Sequence, residues 1–219
     1  MDFDDYKKAI DKVPTECRID FSGMCEPFAN DRCTDMIIYA AESGHPLALY
    51  STLQGATMDD YERLKGIGFE VTTIHLPDCD GRSHFKITDD YLDVLGAWSP
   101  TFYSVHGKLD ERVRPYIKDR YMITFMHDRA GNVEDRPHLW IGPDCPLTCQ
   151  TSGRAMDHNV LLPDGTVIMC CMDYGMTGVF GNLFEQSYEE VLHSQAAEKM
   201  REKLNYGECI CRHCANALT

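Results

Sequence analysis

Apolar positions recur at helical spacing in several blocks of the first 135 residues, and short runs of apolar and β-branched residues lie between these blocks. Helical spacing predicts helices over 2–13, 33–42, 58–65 and 88–98, and a less regular one over 110–118. The intervening runs predict strands over 17–24, 47–53, 70–76, 101–107 and 121–127. Because strands and helices alternate, the pattern favours right-handed βαβ units and a parallel sheet.

The pattern changes after residues 130–132, where Gly, Pro, Asp and Cys become dense and periodicity fades. Pro163-Asp164-Gly165 joins two short apolar runs, which is typical of a hairpin. One amphipathic helix is predicted over 187–204. We therefore expect two domains, 1–135 and 136–219.

The charge balance narrows the range of partners. The net charge is −14, with 35 acidic and 21 basic residues, and no Lys/Arg cluster is present, so nucleic acid is not an expected ligand. No apolar run is long enough to cross a membrane, and the N-terminus does not resemble a signal peptide. The sequence thus predicts a cytoplasmic protein without membrane contact.

The chain has eleven cysteines, and most of them lie in the first 33 or the last 75 positions. Their positions narrow the possible functions more than the charge does. In a reducing compartment such crowding indicates metal or cluster ligation rather than disulfides. Cys149 and Cys170 are separated by fifteen residues, Gly165 and four more residues, and a CxxC pair, Cys211 and Cys214, follows near the end. Four thiolates suit either a [4Fe–4S] cluster or Zn²⁺, and ligand softness alone does not separate the two.

This spacing, followed by a Gly-Asn-Leu turn at 181–183, an acidic helix and a terminal CxxC, resembles the SPASM or twitch extension of radical S-adenosylmethionine (AdoMet) enzymes. The resemblance implies that Cys149, Cys170, Cys211 and Cys214 bind an auxiliary [4Fe–4S] cluster. A zinc-ribbon-like structural site remains the alternative. Three further thiols, Cys145, Cys171 and Cys209, lie beside this set.

Three upstream segments resemble the same family. IDFSGMCEP (19–27) is similar to the strand-end Gly-Gly-Glu-Pro motif, with Cys25 in place of the second Gly, LYSTLQG (49–55) to a third-strand element, and HDRAGNVED (127–135) to an Arg-x-Gly-Asn element. The resemblance implies AdoMet contacts by residues at the ends of strands. These residues are Ser22, Gly23, Glu26, Ser51, Thr52, Arg129 and Asn132.

The fold that the resemblance implies is α/β: a partial (β/α)6 radical-SAM-type barrel lacking its first strand, followed by a small Cys-rich extension with a β-hairpin and a helix. The family's catalytic CxxxCxxC motif does not occur in the 219 residues, so no catalytic residue is assigned and AdoMet cleavage by this chain alone is not expected. A missing first strand would leave an open sheet edge. We expect a second copy or a partner polypeptide to pair there.

Two classes of function follow. The resemblance implies that the chain is by descent a radical-based enzyme that modifies a peptide, a carbohydrate or a small metabolite, and that it is incomplete or degenerate as it stands. The alternative is a non-catalytic iron–sulfur or zinc binding module that acts with a partner chain. A thiol-redox role for Cys211 and Cys214 is less favoured, because the pair does not open a helix after a strand.

Overall fold

A computed structural model describes residues 1–22, 24–83, 85–118, 120–124, 126–133, 139–151, 153 and 155–219. The chain divides into two compact units, Asp2–Met126 and His127–Thr219. The domain boundary predicted near residue 136 lies outside the described residues and stays a prediction. Within the described ranges, no helix has the length and apolar character needed to span a bilayer.

The first unit is built on a parallel five-stranded sheet in which the strands follow one another in chain order. The strands are β1 (Ile19–Phe21), β2 (Leu47–Ser51), β3 (Phe69–Leu76), β4 (Phe102–Val105) and β5 (Tyr121–Ile123). The predicted α/β fold with a parallel sheet is thereby confirmed. All five predicted strands form, although β5 is shorter than its apolar run.

The helices of the first unit begin where the sequence places capping residues. They are α1 (Phe3–Ile10), α2 (Cys33–Glu42), α3 (Met58–Leu64) and α4 (Asp89–Ala97). Asp2, Thr57 and Thr88 each accept a backbone N–H in the first turn of a helix. The helix predicted over 110–118 is instead a 3-10 helix, Glu111–Tyr116, because Pro115 has no N–H to continue an α-helical ladder.

The two faces of the sheet differ in polarity. On one face lie fully buried apolar side chains, namely Leu47, Leu49, Ile74, Leu76, Tyr103 and Val105. The opposite face carries Thr73, His75 and Ser104 at the alternate positions of β3 and β4. The sheet therefore presents polar groups toward the carboxyl ends of its strands.

The described part of the second unit contains two small antiparallel sheets, two α-helices and a 3-10 helix. One sheet joins β6 (Thr148–Cys149) to β10 (Ala217–Leu218), and the other has the order β7 (Val160–Leu161), β8 (Thr166–Ile168), β9 (Val179–Asn182). The α-helices are α5 (Tyr188–Leu192) and α6 (Gln195–Asn205). The prediction of one helix over 187–204 is wrong, because Ser194 caps a second helix by accepting the N–H of Ala197.

Candidate functional site

Cys149 and the terminal CxxC pair come together through the β6–β10 sheet. Cys149 stands directly opposite Ala217, three residues after Cys214. Cys211 lies in a 3-10 helix, Ile210–His213, and Cys214 ends it. A two-residue ladder thus brings thiols that are more than sixty positions apart in the chain to the same place.

Cys170 follows the β7–β8 hairpin, whose tight turn depends on Gly165. This residue has φ +84°, and a Cβ there would lie 2.5 Å from Oδ1 of Asn182 and 2.6 Å from Cγ of Phe184. Only glycine fits both the backbone conformation and the space. The glycine that the sequence spacing singles out therefore has a structural reason.

The four predicted ligands line one cavity of about 170 Å³. The other residues around it include Cys171, His127, Arg129, Asp157, His158 and several apolar side chains. Backbone N–H groups already point at two of the sulfurs: Met172 donates to Sγ of Cys170 at 3.3 Å, and Asn216 to Sγ of Cys214 at 3.4 Å. Such N–H···S bonds favour thiolates and tune iron–sulfur centres.

Without a metal, the environment holds three of these thiols in the neutral form. A hydrogen bond with Cys171 and burial raise the pKa of Cys170, and a hydrogen bond with Cys209 and burial raise the pKa of Cys211. Burial also raises the pKa of Cys214. Since a metal binds the thiolate, its cationic charge has to displace these protons.

Cys145 and Cys209, the remaining extra thiols of this unit, lie beside a residue that the sequence analysis passed over. Nη1 of Arg212 is 3.5 Å from Sγ of Cys145 and donates to its carbonyl at 2.8 Å. The hydrogen bond from the Cys211 thiol, neighbouring backbone N–H groups and the charge of Arg212 lower the pKa of Cys209 to about 6. No sequence signal marks this arginine, since an Arg between two cysteines is ordinarily exposed.

In the first unit, the structure brings together Glu26, Ser51 and Thr52, three of the residues that the resemblance assigns to AdoMet; that assignment stays a prediction. Oε1 of Glu26 accepts the Ser51 hydroxyl at 2.6 Å and the N–H of Phe28 at 3.2 Å. Oε2 accepts the N–H of Thr52 at 2.6 Å and, in a short bond, the Thr52 hydroxyl. Both oxygens therefore have two protein donors, which uses most of the acceptor capacity of a carboxylate.

A close backbone approach supports this cluster. Gly55 has φ +93°, and a Cβ there would lie 2.6 Å from the carbonyl oxygen of Phe28. The loop after β2 thus packs directly on the 3-10 helix Pro27–Ala29 that Glu26 caps. Ser22 is exposed, and Gly23 lies outside the described residues.

Arg129 and Asn132 belong to the second unit, where Arg129 lines the cysteine cavity and Asn132 bonds the carbonyl of Met172, a lining residue, at 3.4 Å. The guanidinium of Arg129 lies 5.0 Å from the ring centre of Tyr174 and 3.7 Å from Sδ of Met172. The side-chain amide of Asn132 donates to the Arg129 carbonyl at 2.7 Å. Their sequence-based assignment to AdoMet stays a prediction.

Two imidazoles stack at the carboxyl ends of β3 and β4. The ring centres of His75 and His106 are 5.8 Å apart with an interplanar angle of 18°. Nδ1 of His75 is 2.6 Å from the Ser104 hydroxyl, and Nδ1 of His106 is 3.0 Å from that of Thr124. Substrates of parallel α/β sheets bind at this end, so the pair marks a candidate binding surface.

Comparison with known proteins agrees with this geometry. Residues 149–215 match the SPASM family model, described as an iron–sulfur cluster-binding domain. The match covers all four predicted ligands. No curated protein is significantly similar to the sequence.

Among solved structures, the chain is similar to BtrN in complex with AdoMet and 2-DOIA, with a TM-score of 0.65 and 16% identity over 100% of this chain and 80% of that one. A second BtrN structure, described as an open conformation, has a TM-score of 0.59 and 15% identity over 99% and 80% of the two chains. At this identity the likeness establishes a shared fold.

Proposed function

We propose that this chain, which carries a SPASM iron–sulfur domain on a radical-SAM-type fold, holds one [4Fe–4S] cluster through Cys149, Cys170, Cys211 and Cys214. The observation that carries the proposal is the convergence of these four cysteines, from three separate segments, on one cavity. When bound, such a cluster supplies one-electron transfer. The N–H groups that face Cys170 and Cys214 would stabilise the thiolates that hold it.

The family match favours a cluster over zinc, because residues 149–215 match a domain described as iron–sulfur cluster-binding. Four cysteines at one cavity suit such a cluster.

Anaerobic reconstitution tests this proposal. We expect about four iron and four sulfide per chain with a broad visible absorption near 400 nm. Replacing any one of the four ligands by Ser should remove most of the iron. Cys79→Ser, an exposed cysteine in the first unit, is the matched control and should load normally. Stoichiometric zinc without sulfide would refute the cluster.

For the first unit we propose AdoMet as the ligand, at the strand ends that carry Ser22, Gly23, Glu26, Ser51 and Thr52. The support is that Glu26, Ser51 and Thr52 form one hydrogen-bonded group at this edge of the sheet. The shared fold with an AdoMet-bound protein adds to it. Because the Glu26 oxygens are occupied, its role is to shape the two loops, and backbone carbonyls are left to accept the ammonium of the ligand.

We propose that the substrate is a peptide, a carbohydrate or a small metabolite and that it binds on the polar face of the sheet. We also propose that the protein acts in the cytoplasm. His75, Ser104, His106 and Thr124 present imidazole and hydroxyl groups there. Such groups bind hydroxyl and amide groups of a substrate and can move a proton at the reacting carbon. Two measurements test the hypothesis that the chain is an enzyme. One is binding of AdoMet by isothermal titration calorimetry, and the other is reductive cleavage of AdoMet to 5′-deoxyadenosine.

A second candidate is a non-catalytic iron–sulfur module that works with a partner chain. Two observations favour it: the 219 residues contain no CxxxCxxC motif, and the carboxylate of Glu26 is already saturated by protein donors. Cluster-loaded protein that neither binds nor cleaves AdoMet would favour this module. Binding with cleavage would reject it.

A further inference from the structure

Among the described residues, Arg212 is the largest fully buried side chain, with an exposed fraction of 0%, and it lies inside the CxxC loop. The described acceptors of its guanidinium are five carbonyls and the Cys145 sulfur, and none is a carboxylate. The carbonyls belong to Gly142 and Cys145 at 2.8 Å, Gly207 at 3.0 Å, and Lys203 and Leu204 at 3.4 Å.

These carbonyls come from two segments. One, 142–145, leads into Cys149 and is distant from the CxxC loop in sequence. The other is the end of α6 with the turn after it, just before the loop. Backbone bonds tie the same segments together: Ile141 N–H donates to the Arg212 carbonyl at 2.8 Å, and Gly207 N–H to that of Pro143 at 3.2 Å. Leu147 N–H also donates to the Leu204 carbonyl at 3.0 Å.

The chemistry of this position suits arginine. A planar guanidinium has five N–H donors in a rigid fork. Here it donates to carbonyls of both segments. Two of them, from Lys203 and Leu204, lie in the last turn of α6, where a positive charge also meets the negative end of the helix dipole.

We propose that Arg212 is a positioning residue that holds the Cys149 segment against the CxxC loop before a cluster enters. That the positioned thiols are cluster ligands rests on the proposed function.

The positioning role is tested on metal-free protein by amide hydrogen exchange at Ile141, Leu147 and Gly207. In Arg212→Met, we expect these amides to exchange at least about tenfold faster than in the parent, because the clamp between the segments is lost. Arg212→Lys has three donors and should lie in between. Arg201→Met is the matched control, since Arg201 is partly exposed and bonds Glu198 and the Leu192 carbonyl; it should leave the three amides unchanged.

Unaltered exchange at Ile141, Leu147 and Gly207 in Arg212→Met would overturn the proposal.

If Arg212→Met does not accumulate as folded protein, Arg212→Lys decides alone: faster exchange supports the clamp, and exchange equal to the parent overturns it. If the parent binds zinc and no sulfide, the cluster proposal fails. The exchange measurement on metal-free protein still decides the role of Arg212 in that case.

Discussion

Glu26 shows how one side chain can be found by sequence and yet have a different role in the structure. Its sequence context predicts a ligand contact, but its carboxylate joins the loop after β1 to the loop after β2. Four donors on two oxygens make it a structural centre of this edge. Any ligand bound there depends on the loops that Glu26 holds.

Glu26→Gln should therefore destabilise the first unit. The amide NH₂ cannot accept the donors that one carboxylate oxygen now receives, so we expect a loss of about 1–3 kcal/mol in the free energy of unfolding. Urea unfolding followed by circular dichroism measures it. Glu16→Gln, at an exposed position, is the control. An equal change in the free energy of unfolding of both variants would contradict the structural role of Glu26.

The buried thiol of Cys33 should make the stability of the first unit depend on pH. Burial, with the nearby Glu26 and Asp60 carboxylates, raises the pKa of this thiol to about 12, from an ordinary value of 9.0. Above pH 9 the unfolded chain loses the proton while the folded chain keeps it. Stability from this group is thus complete below pH 9 and falls by about 1.4 kcal/mol per pH unit until the thiol ionises near pH 12.

The test compares unfolding of the parent and Cys33→Ala between pH 8 and 11. We expect the variant to lose less stability over this range than the parent, because it has no buried thiol to protect. Burial also raises the pKa values of Tyr6 and Tyr91. The free energy of unfolding should therefore still decline at higher pH in both proteins. Parallel curves would show that Cys33 is not the responsible group.

At the scale of elements, the turn of the β7–β8 hairpin connects sequence spacing to the position of Cys170. Two short strands and a glycine turn place this thiol at the cavity, and Asn182 of β9 fixes the turn by donating to the Asp164 carbonyl at 2.9 Å. The hairpin thus matters for the metal site through its geometry, because none of its own side chains before Cys170 is a predicted ligand.

Gly165→Ala should weaken the metal site without touching a ligand. The added Cβ meets Asn182 and Phe184, and the positive φ adds strain of about 1–3 kcal/mol. We expect lower iron content per chain and an earlier thermal unfolding. Gly153→Ala is a matched control, since Gly153 has φ +75° but open space around it; an equal effect of both substitutions would show that the contact with β9 is unimportant.

At the scale of the whole molecule, the sequence-based expectation of a partner at the sheet edge remains to be tested. Of the described strands, β1 and β5 are outermost in the sheet. An outer strand has unpaired backbone groups that can pair with another chain. We therefore expect self-association through β1, or pairing with a partner chain.

Light scattering over a range of concentrations should give a mass of twice 24.9 kDa for a homodimer. Association through β1 should slow amide exchange in Ile19–Phe21 as concentration rises. It should also survive Ile123→Lys, which places a charge on β5 at a side chain 67% exposed. A monomer at all concentrations would reject self-pairing, and loss of association in Ile123→Lys would move the interface to β5.

Much of the fold could be predicted because the signals are local. Capping at Asp2, Thr57 and Thr88 and the apolar runs between the helices act over a few residues, so the order of strands and helices follows from the sequence. The errors arise where one residue outweighs the periodicity: Ser194 begins a new helix inside an apolar pattern, and Pro115 turns a predicted helix into a 3-10 turn.

The sequence by itself determined the parallel α/β sheet, because the periodicity of apolar residues is a local property of the chain. It also singled out four cysteines through their resemblance to the SPASM spacing, and their role as ligands stays a prediction. Only the tertiary structure decided that Glu26 accepts hydrogen bonds from Phe28, Ser51 and Thr52 and that Arg212 is buried among carbonyls. The physical reason is that burial and hydrogen-bond saturation depend on groups contributed by distant segments. For Arg212, those groups lie up to 70 positions away, and their arrangement exists only once the chain has folded.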